Sequence, residues 1–367
     1  MRYLKTSVSF ILAFQFSLFV TVINGQVFPP ADMQEESSDT INEEWTPERS
    51  IIELIKEKDC FTPVNMINSI NDLDFCDKYG GTMLMYSSLN GCYAMAKVLL
   101  KRGANIDLKS NEGFTALHMA SRNGHFDIVN LLLKKGAKAD VLTVKGVTPL
   151  YMASLNGHLK VIELLIRNGA QIDFKSNGEF TSLLIASQFG QVEAVKLLID
   201  KGASIESQTS RGTTPLLAAA SAGYPEIVKM LLEKGANIES STRRGVTPLF
   251  VSSQNGHAEV VKLLLEHGAN INMRTKDGLN PILIASLKGQ SEIVGILLEN
   301  NANVDSQTDD GTSALMIASA NGHIQVVRLL LEKGANADLK NNYGKSAFDV
   351  AENEEIKKLL PDSGQKH

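Results

Sequence analysis

The sequence lacks what an enzyme or a nucleic-acid binder needs. It holds no HExxH pair, no Walker or GxGxxG phosphate loop and no nucleophile motif. Nothing in it points to a catalytic residue, a cofactor, a metal or a small-molecule substrate. Formal net charge is -5 with a pI near 5.9, so no broad basic field is available to hold a phosphate backbone, and nucleic acid is not an expected partner. There is no Asn-x-Ser/Thr sequon, so an extracellular life would proceed without ordinary N-glycosylation. Cysteine is scarce, three in 367 residues, which excludes a dense disulfide framework.

What is present is repetition. The stretch Gly245 to Asp277 reads GVTPLFVSSQNGHAEVVKLLLEHGANINMRTKD. Thr247-Pro248 is a helix start, because the Thr hydroxyl can accept an orphan N–H and Pro at the first helical position has none to lose. A short helix is expected from Pro248 to about Gln254, stopped by Asn255-Gly256. Val260, Val261, Leu263, Leu264 and Leu265 give a second helix an apolar face, and Gly268 ends it. Asp277-Gly278 then signals a hairpin-like loop. Helices this short are marginal alone, so the unit must stack on copies of itself.

Stepping by the same 33-residue interval from Gly245 meets Gly80, Gly113, Gly146, Gly212, Gly278, Gly311 and Gly344. The one miss is Glu179, where Gly178 lies one place upstream and an altered turn is expected. Two further glycine columns run in phase, Gly91 through Gly322 and Gly103 through Gly334, with Asn301 the only substitute.

With TPL at the first helix, NGH between helices and GAN after the second, this period resembles the ankyrin repeat. The resemblance covers roughly Trp45 to Leu360. It implies an all-α solenoid of helix-turn-helix units with β-hairpin-like loops, capped at both ends, and a non-enzymatic protein-binding role. The family's TPLH histidine is kept only as His118; Tyr151, Leu184, Leu217, Phe250, Leu283 and Met316 fill the rest of its column.

In chain order, residues 1–25 resemble a secretory signal peptide, with Arg2 and Lys5 before an apolar run from Val8 to Ile23. An uncleaved membrane anchor is the rival reading, and only then would a membrane be a partner. Either way the array would face the non-cytoplasmic side, as a secreted binder, a tethered scaffold or an effector that disables a host protein. Residues 26–44 read as an acidic disordered linker. Residues 45–79 read as an N-terminal capping repeat, 80–343 as eight repeats, 344–361 as a C-terminal capping repeat and 362–367 as a tail.

Two groups of residues look chemical and are expected not to be. His125, His158, His257 and His323 share one column, so neighbours stand about 8–10 Å apart, too far to share one zinc; each is expected to bond an adjacent loop. Cys60 and Cys92 fall at nearly equivalent places in adjacent units, about 8–10 Å apart by the same spacing. That exceeds the roughly 7 Å limit for a disulfide. With Cys76 in a loop away from both, free thiols are expected, an intermolecular bridge being the alternative.

The remaining function is surface. The resemblance places partner-binding residues on a concave face formed by inner helices and loop tips. The inner-helix column reads Met119, Met152, Ile185, Ala218, Val251, Ile284 and Ile317, expected either as an exposed apolar stripe or as half-buried packing. The tips carry Lys145, Arg211, Arg243, Arg244 and Lys276, followed by Asp277, Asp309 and Asp310. This charge order would steer a complementary protein partner into register.

Overall fold

A computed structural model describes residues 46–361. The signal-peptide and linker readings, and the tail, lie outside the described residues. The chain divides into two compact units, Met1–Ser50 and Ile51–His367. Of the first, only residues 46–50 are described; they open the helix Pro47–Lys56, where the Thr46 hydroxyl accepts the Arg49 N–H at 3.2 Å. The second unit carries the array.

The described part of that unit is helical, its only β pairing being two isolated antiparallel bridges, Cys76 with Thr82 and Gln307 with Ser313. The repeat beginning at Gly245 shows how each unit is made. Thr247 is extended and its hydroxyl accepts the Phe250 N–H at 3.2 Å, with Pro248 at the first helical position. The inner helix Pro248–Asn255 ends on Gly256, left-handed at φ 81°. The outer helix Ala258–Glu266 follows after one residue, His257. Past Gly268, the Ala269 N–H returns to the Leu264 carbonyl at 3.0 Å, a C-terminal closure that satisfies an orphan carbonyl. The loop then folds back. Gly278 N–H meets the Thr275 carbonyl at 3.0 Å and Thr275 N–H meets the Leu279 carbonyl at 2.8 Å, which makes the tip hairpin-like.

Stacking supplies the core that no single unit has. Inner helices pack on inner helices and outer on outer. Leu99, Leu132, Leu165, Leu198, Leu231, Leu264, Leu297 and Leu330 are fully buried in one unbroken column of the outer helices. Beside it runs a column of buried serines, of which Ser88, Ser121, Ser154, Ser253, Ser286 and Ser319 show no hydrogen-bond partner for the hydroxyl. Ala220 holds the equivalent place in the fifth repeat and is equally buried, so packing does not require the hydroxyl.

Three polar ladders fix the spacing from repeat to repeat. His125, His158, His257 and His323 each place Nε2 at 2.8–3.0 Å from a carbonyl at the end of the preceding inner helix: Leu89, Arg122, Ser221 and Leu287. The imidazoles are therefore packed against glycines of the previous unit. A Cβ on Gly124, which is left-handed at φ 73°, would come within 2.6 Å of His158 Nδ1. In the second ladder, carboxylates of Asp74, Asp140, Asp173, Glu206, Glu239 and Asp305 accept the backbone N–H 31 residues on, at 2.6–3.0 Å. The third joins the tips, as described below.

Two expectations need correction. Glu179 does not alter its turn: it takes φ 65°, and its N–H closes on the Ser176 carbonyl at 2.7 Å as the glycines do elsewhere. The turn's own hydrogen bonds and the stacked neighbours hold a non-glycine residue in the left-handed region, where such residues are uncommon. The second correction concerns the cysteines. Cys60 and Cys92 form a disulfide with Cα atoms 5.1 Å apart, leaving Cys76 exposed as the single free thiol. One helix spacing separates equivalent columns only between full repeats. The first described unit, however, is not a full repeat: a short helix Thr62–Met66 and a 3-10 turn Ile67–Ser69 follow Pro47–Lys56. Cys92 occupies the first position before an outer helix, the place of the histidines, whose side chains all reach back onto the preceding unit.

Among the described residues, His118 is the one histidine buried in the core. Its Nδ1 lies 3.0 Å from the Thr115 hydroxyl and its Nε2 3.0 Å from the Val147 carbonyl of the next repeat. Burial, working against the Val147 bond, pushes its pKa down to about 4. Because the folded value lies below the ordinary 6.5, the histidine is no burden above that pH. Stability then falls as pH drops from about 6.5 toward 4, by roughly 2–3 kcal/mol at most. The variant His118→Leu, matching Leu184 and Leu217, should flatten this slope in urea melts recorded between those pH values. An unchanged slope would assign the acid sensitivity to the carboxylate ladder.

Candidate functional site

The inner helices offer little area to a partner. Met119, Met152, Ile185, Ala218, Val251, Ile284 and Ile317 are all between 0% and 8% exposed. The exposed apolar stripe is therefore absent: these side chains fill the gap between successive inner helices, the half-buried alternative carried further. In the full repeats, accessibility along an inner helix is confined to its carboxyl end, as at Gln254-Asn255, where Pro248 through Ser253 are buried. In the fourth repeat this end carries Phe189, exposed in a column that elsewhere holds mostly Asn. Sequence reading passed over these positions. Their signal was irregularity, two unlike residues before each glycine of an otherwise regular helix.

The loop tips form the other accessible edge, and their backbones are tied in series. Asn111 N–H bonds the Tyr79 carbonyl, Val144 that of Glu112, Asn177 that of Lys145, Arg243 that of Arg211, Lys276 that of Arg244, and Asn342 that of Asp310, at 2.8–3.1 Å. Two junctions of the series differ: the Ser210 N–H goes instead to the Glu179 carboxylate, and Asp309 makes no backbone bond to Asp277, its carboxylate meeting Arg274. The tips are thus a fixed row rather than independent loops.

Fixing the row sorts its charges. Arg244 is not free for a partner: its guanidinium holds both carboxylate oxygens of Asp277, at 2.9 and 3.0 Å. Asp309 pairs with Arg274 at 2.9 Å, across a separation of 35 residues that no sequence pattern marks. Asp310 folds into its own turn. Burial works to raise its pKa, but hydrogen bonds from Thr308 and Thr312 outweigh that and hold the carboxyl below its usual range. Lys145 is exposed on the tip of an earlier repeat. Among the described residues, Arg211, Arg243 and Lys276 are exposed and have no carboxylate within salt-bridge distance. The acidic half of the charge order is consumed internally, and the basic half is partly left over.

Arg243 also borders an open concavity of about 430 Å³ that spans the fourth to the sixth tips, lined by Lys175, Glu179, Ser210, Ser241 and Thr242 among others. Lys175 donates there to the Gln208 carbonyl at 2.9 Å. The lining is mostly hydroxyl and charge, without a nucleophile poised beside a base.

A row of stacked helix pairs with a polar, tied edge of loop tips defines a repeat protein of the kind that presents an extended surface to other proteins. The ankyrin repeats family model matches the chain in overlapping segments from 52–143 through 282–367, and the chain belongs to that family. The crystal structure of the human ASB11 ankyrin repeat domain is similar to it, with 29% identity and a TM-score of 0.54 over 58% of this chain and 96% of that one. Among curated proteins the comparison found no match. Ankyrin repeats bind protein partners, and the family is typically non-enzymatic.

Proposed function

We propose that this chain is a secreted or extracytoplasmic protein-interaction module whose partner docks along the edge of loop tips. The observation that carries the reading is the set of exposed cations, Arg211, Arg243 and Lys276, left without internal partners on tips whose spacing is fixed by backbone bonds. Rigid placement lowers the ordering cost of binding, and unpaired charge on such a row steers a complementary partner. The compartment is supported by the N-terminal segment's resemblance to a signal peptide and by the Cys60–Cys92 disulfide, a bond that persists in oxidising surroundings.

The test is site-specific photo-crosslinking in the native fluid or membrane fraction. A crosslinker in place of Arg243 is expected to capture a discrete protein, and one in place of Lys262 on the outer helix is not. Equal capture from both positions, or from Lys262 alone, would refute docking at the tips.

A further inference from the structure

We infer that the tip row takes an extended acidic peptide segment with two carboxylates three residues apart, one held by Arg211 and Arg243 together and the other by Lys276. This deepens the tip reading and rests on it. The Arg243 N–H bonds the Arg211 carbonyl at 2.8 Å, so these two guanidinium stems leave the row as immediate neighbours. Two planar forks side by side suit one carboxylate far better than a single ammonium does. Lys276 stands one tip further on, its N–H bonded to the Arg244 carbonyl at 2.8 Å. Successive units are spaced by about 8–10 Å, and a segment extended as polyproline II, with three residues per turn and about 3.1 Å rise per residue, puts every third side chain on one side about 9 Å apart. The second carboxylate therefore falls three residues from the first.

The surroundings favour a peptide over a continuous polyanion. The run of Arg211, Arg243 and Lys276 covers three tips, the fifth to the seventh. On one side stands the Glu179 carboxylate, and on the other, past the Arg244–Asp277 and Arg274–Asp309 ion pairs, the carboxylate of Asp310. A uniformly charged glycan or nucleic acid long enough to profit from counterion release would have to run over those acids. A short acidic segment flanked by neutral residues would not. The concavity next to Arg243 adds the hydroxyls of Ser210, Ser241 and Thr242, which can donate to the carbonyls of an extended backbone.

Fluorescence anisotropy with two labelled peptides of one composition tests this, one with its two glutamates three residues apart and one with them adjacent. At low salt the spaced peptide is expected to bind roughly ten-fold tighter, each exposed ion pair being a modest contribution. Its binding should weaken with added salt and be lost in Arg243→Glu and in Arg211→Glu, with melting curves unchanged. Equal affinities, no binding by either peptide, or tighter binding of heparin than of the spaced peptide would overturn the inference. If crosslinking from position 243 still captures a partner in those cases, the tip reading stands and only the acidic-peptide assignment falls. If that capture fails too, both fall.

Discussion

Replacing Leu264 by Ala lowers stability by about 2–5 kcal/mol, read as a fall in the urea midpoint. The side chain is fully buried, in the outer-helix column of leucines that runs through all eight repeats. Truncation removes three carbons of buried apolar surface and leaves a void that stacked helices on either side cannot both collapse into. The site is also placed where damage spreads. In a quasi-one-dimensional array, each repeat is stabilised mainly by its two neighbours, so a cavity in the sixth repeat weakens the interfaces to the fifth and seventh together. The transition should therefore broaden as well as shift, the carboxyl-terminal repeats melting ahead of the rest. Leu265→Ala on the same helix is the control: that side chain is only half-buried and should cost clearly less. If both variants melt like the parent, the face of the outer helix turned to the core has been assigned wrongly.

Much of this architecture was legible because the same local signals recur in phase. Thr-Pro starts, left-handed glycines and a leucine column each have a mechanical reason at one repeat, and the fixed interval turns that reason into a fold. Hydrogen-bonding histidines were legible for the same cause, though not their acceptors: Nε2 of His257 meets the Ser221 carbonyl in the last turn of the preceding inner helix rather than a loop. What the sequence could not show was side-chain direction between units. The column from Met119 to Ile317 was placed on the right helices, but whether it faces solvent or the next inner helix depends on the angle at which helices stack. Likewise Arg244 and Asp277 lie 33 residues apart in neighbouring tips, and only the tip-to-tip bonds bring them to 2.9 Å. A linear charge order read as an invitation to a partner was partly an internal ion pair. Glu179 marks the other limit, since its sequence slip predicted a new turn where the flanking bonds impose the old one.

Reducing the Cys60–Cys92 bond costs about 3–4 kcal/mol, but only at the amino-terminal end of the array. This is the loop-closure entropy for a sequence separation of 32 residues. In the later repeats the same column joins units through a single histidine bond, which contributes about 0.5–1.5 kcal/mol. The first junction thus carries a covalent version of a contact that is weak elsewhere, where only one neighbour is available to bury Ile51, Ile52, Ile55 and Ile67. Other ties survive reduction. Asn90 donates to the Ile55 carbonyl at 2.6 Å, Arg102 to the Ile70 carbonyl at 3.1 Å, and Lys56 and the Tyr86 hydroxyl both meet Asp77, at 3.0 and 2.7 Å. Local opening rather than global unfolding is therefore expected, since stability in a stacked array is not shared evenly. Amide exchange with and without reductant reads this directly: protection should drop across residues 51–79 and stay constant from the second repeat onward. Thiol titration supplies the check on the bond itself, with one reactive cysteine, Cys76, before reduction and all three after. Three thiols in the untreated protein would remove the disulfide and with it this support for an oxidising compartment. One thiol with unchanged exchange would mean that the Asp77 cluster, rather than the covalent link, holds the first junction closed.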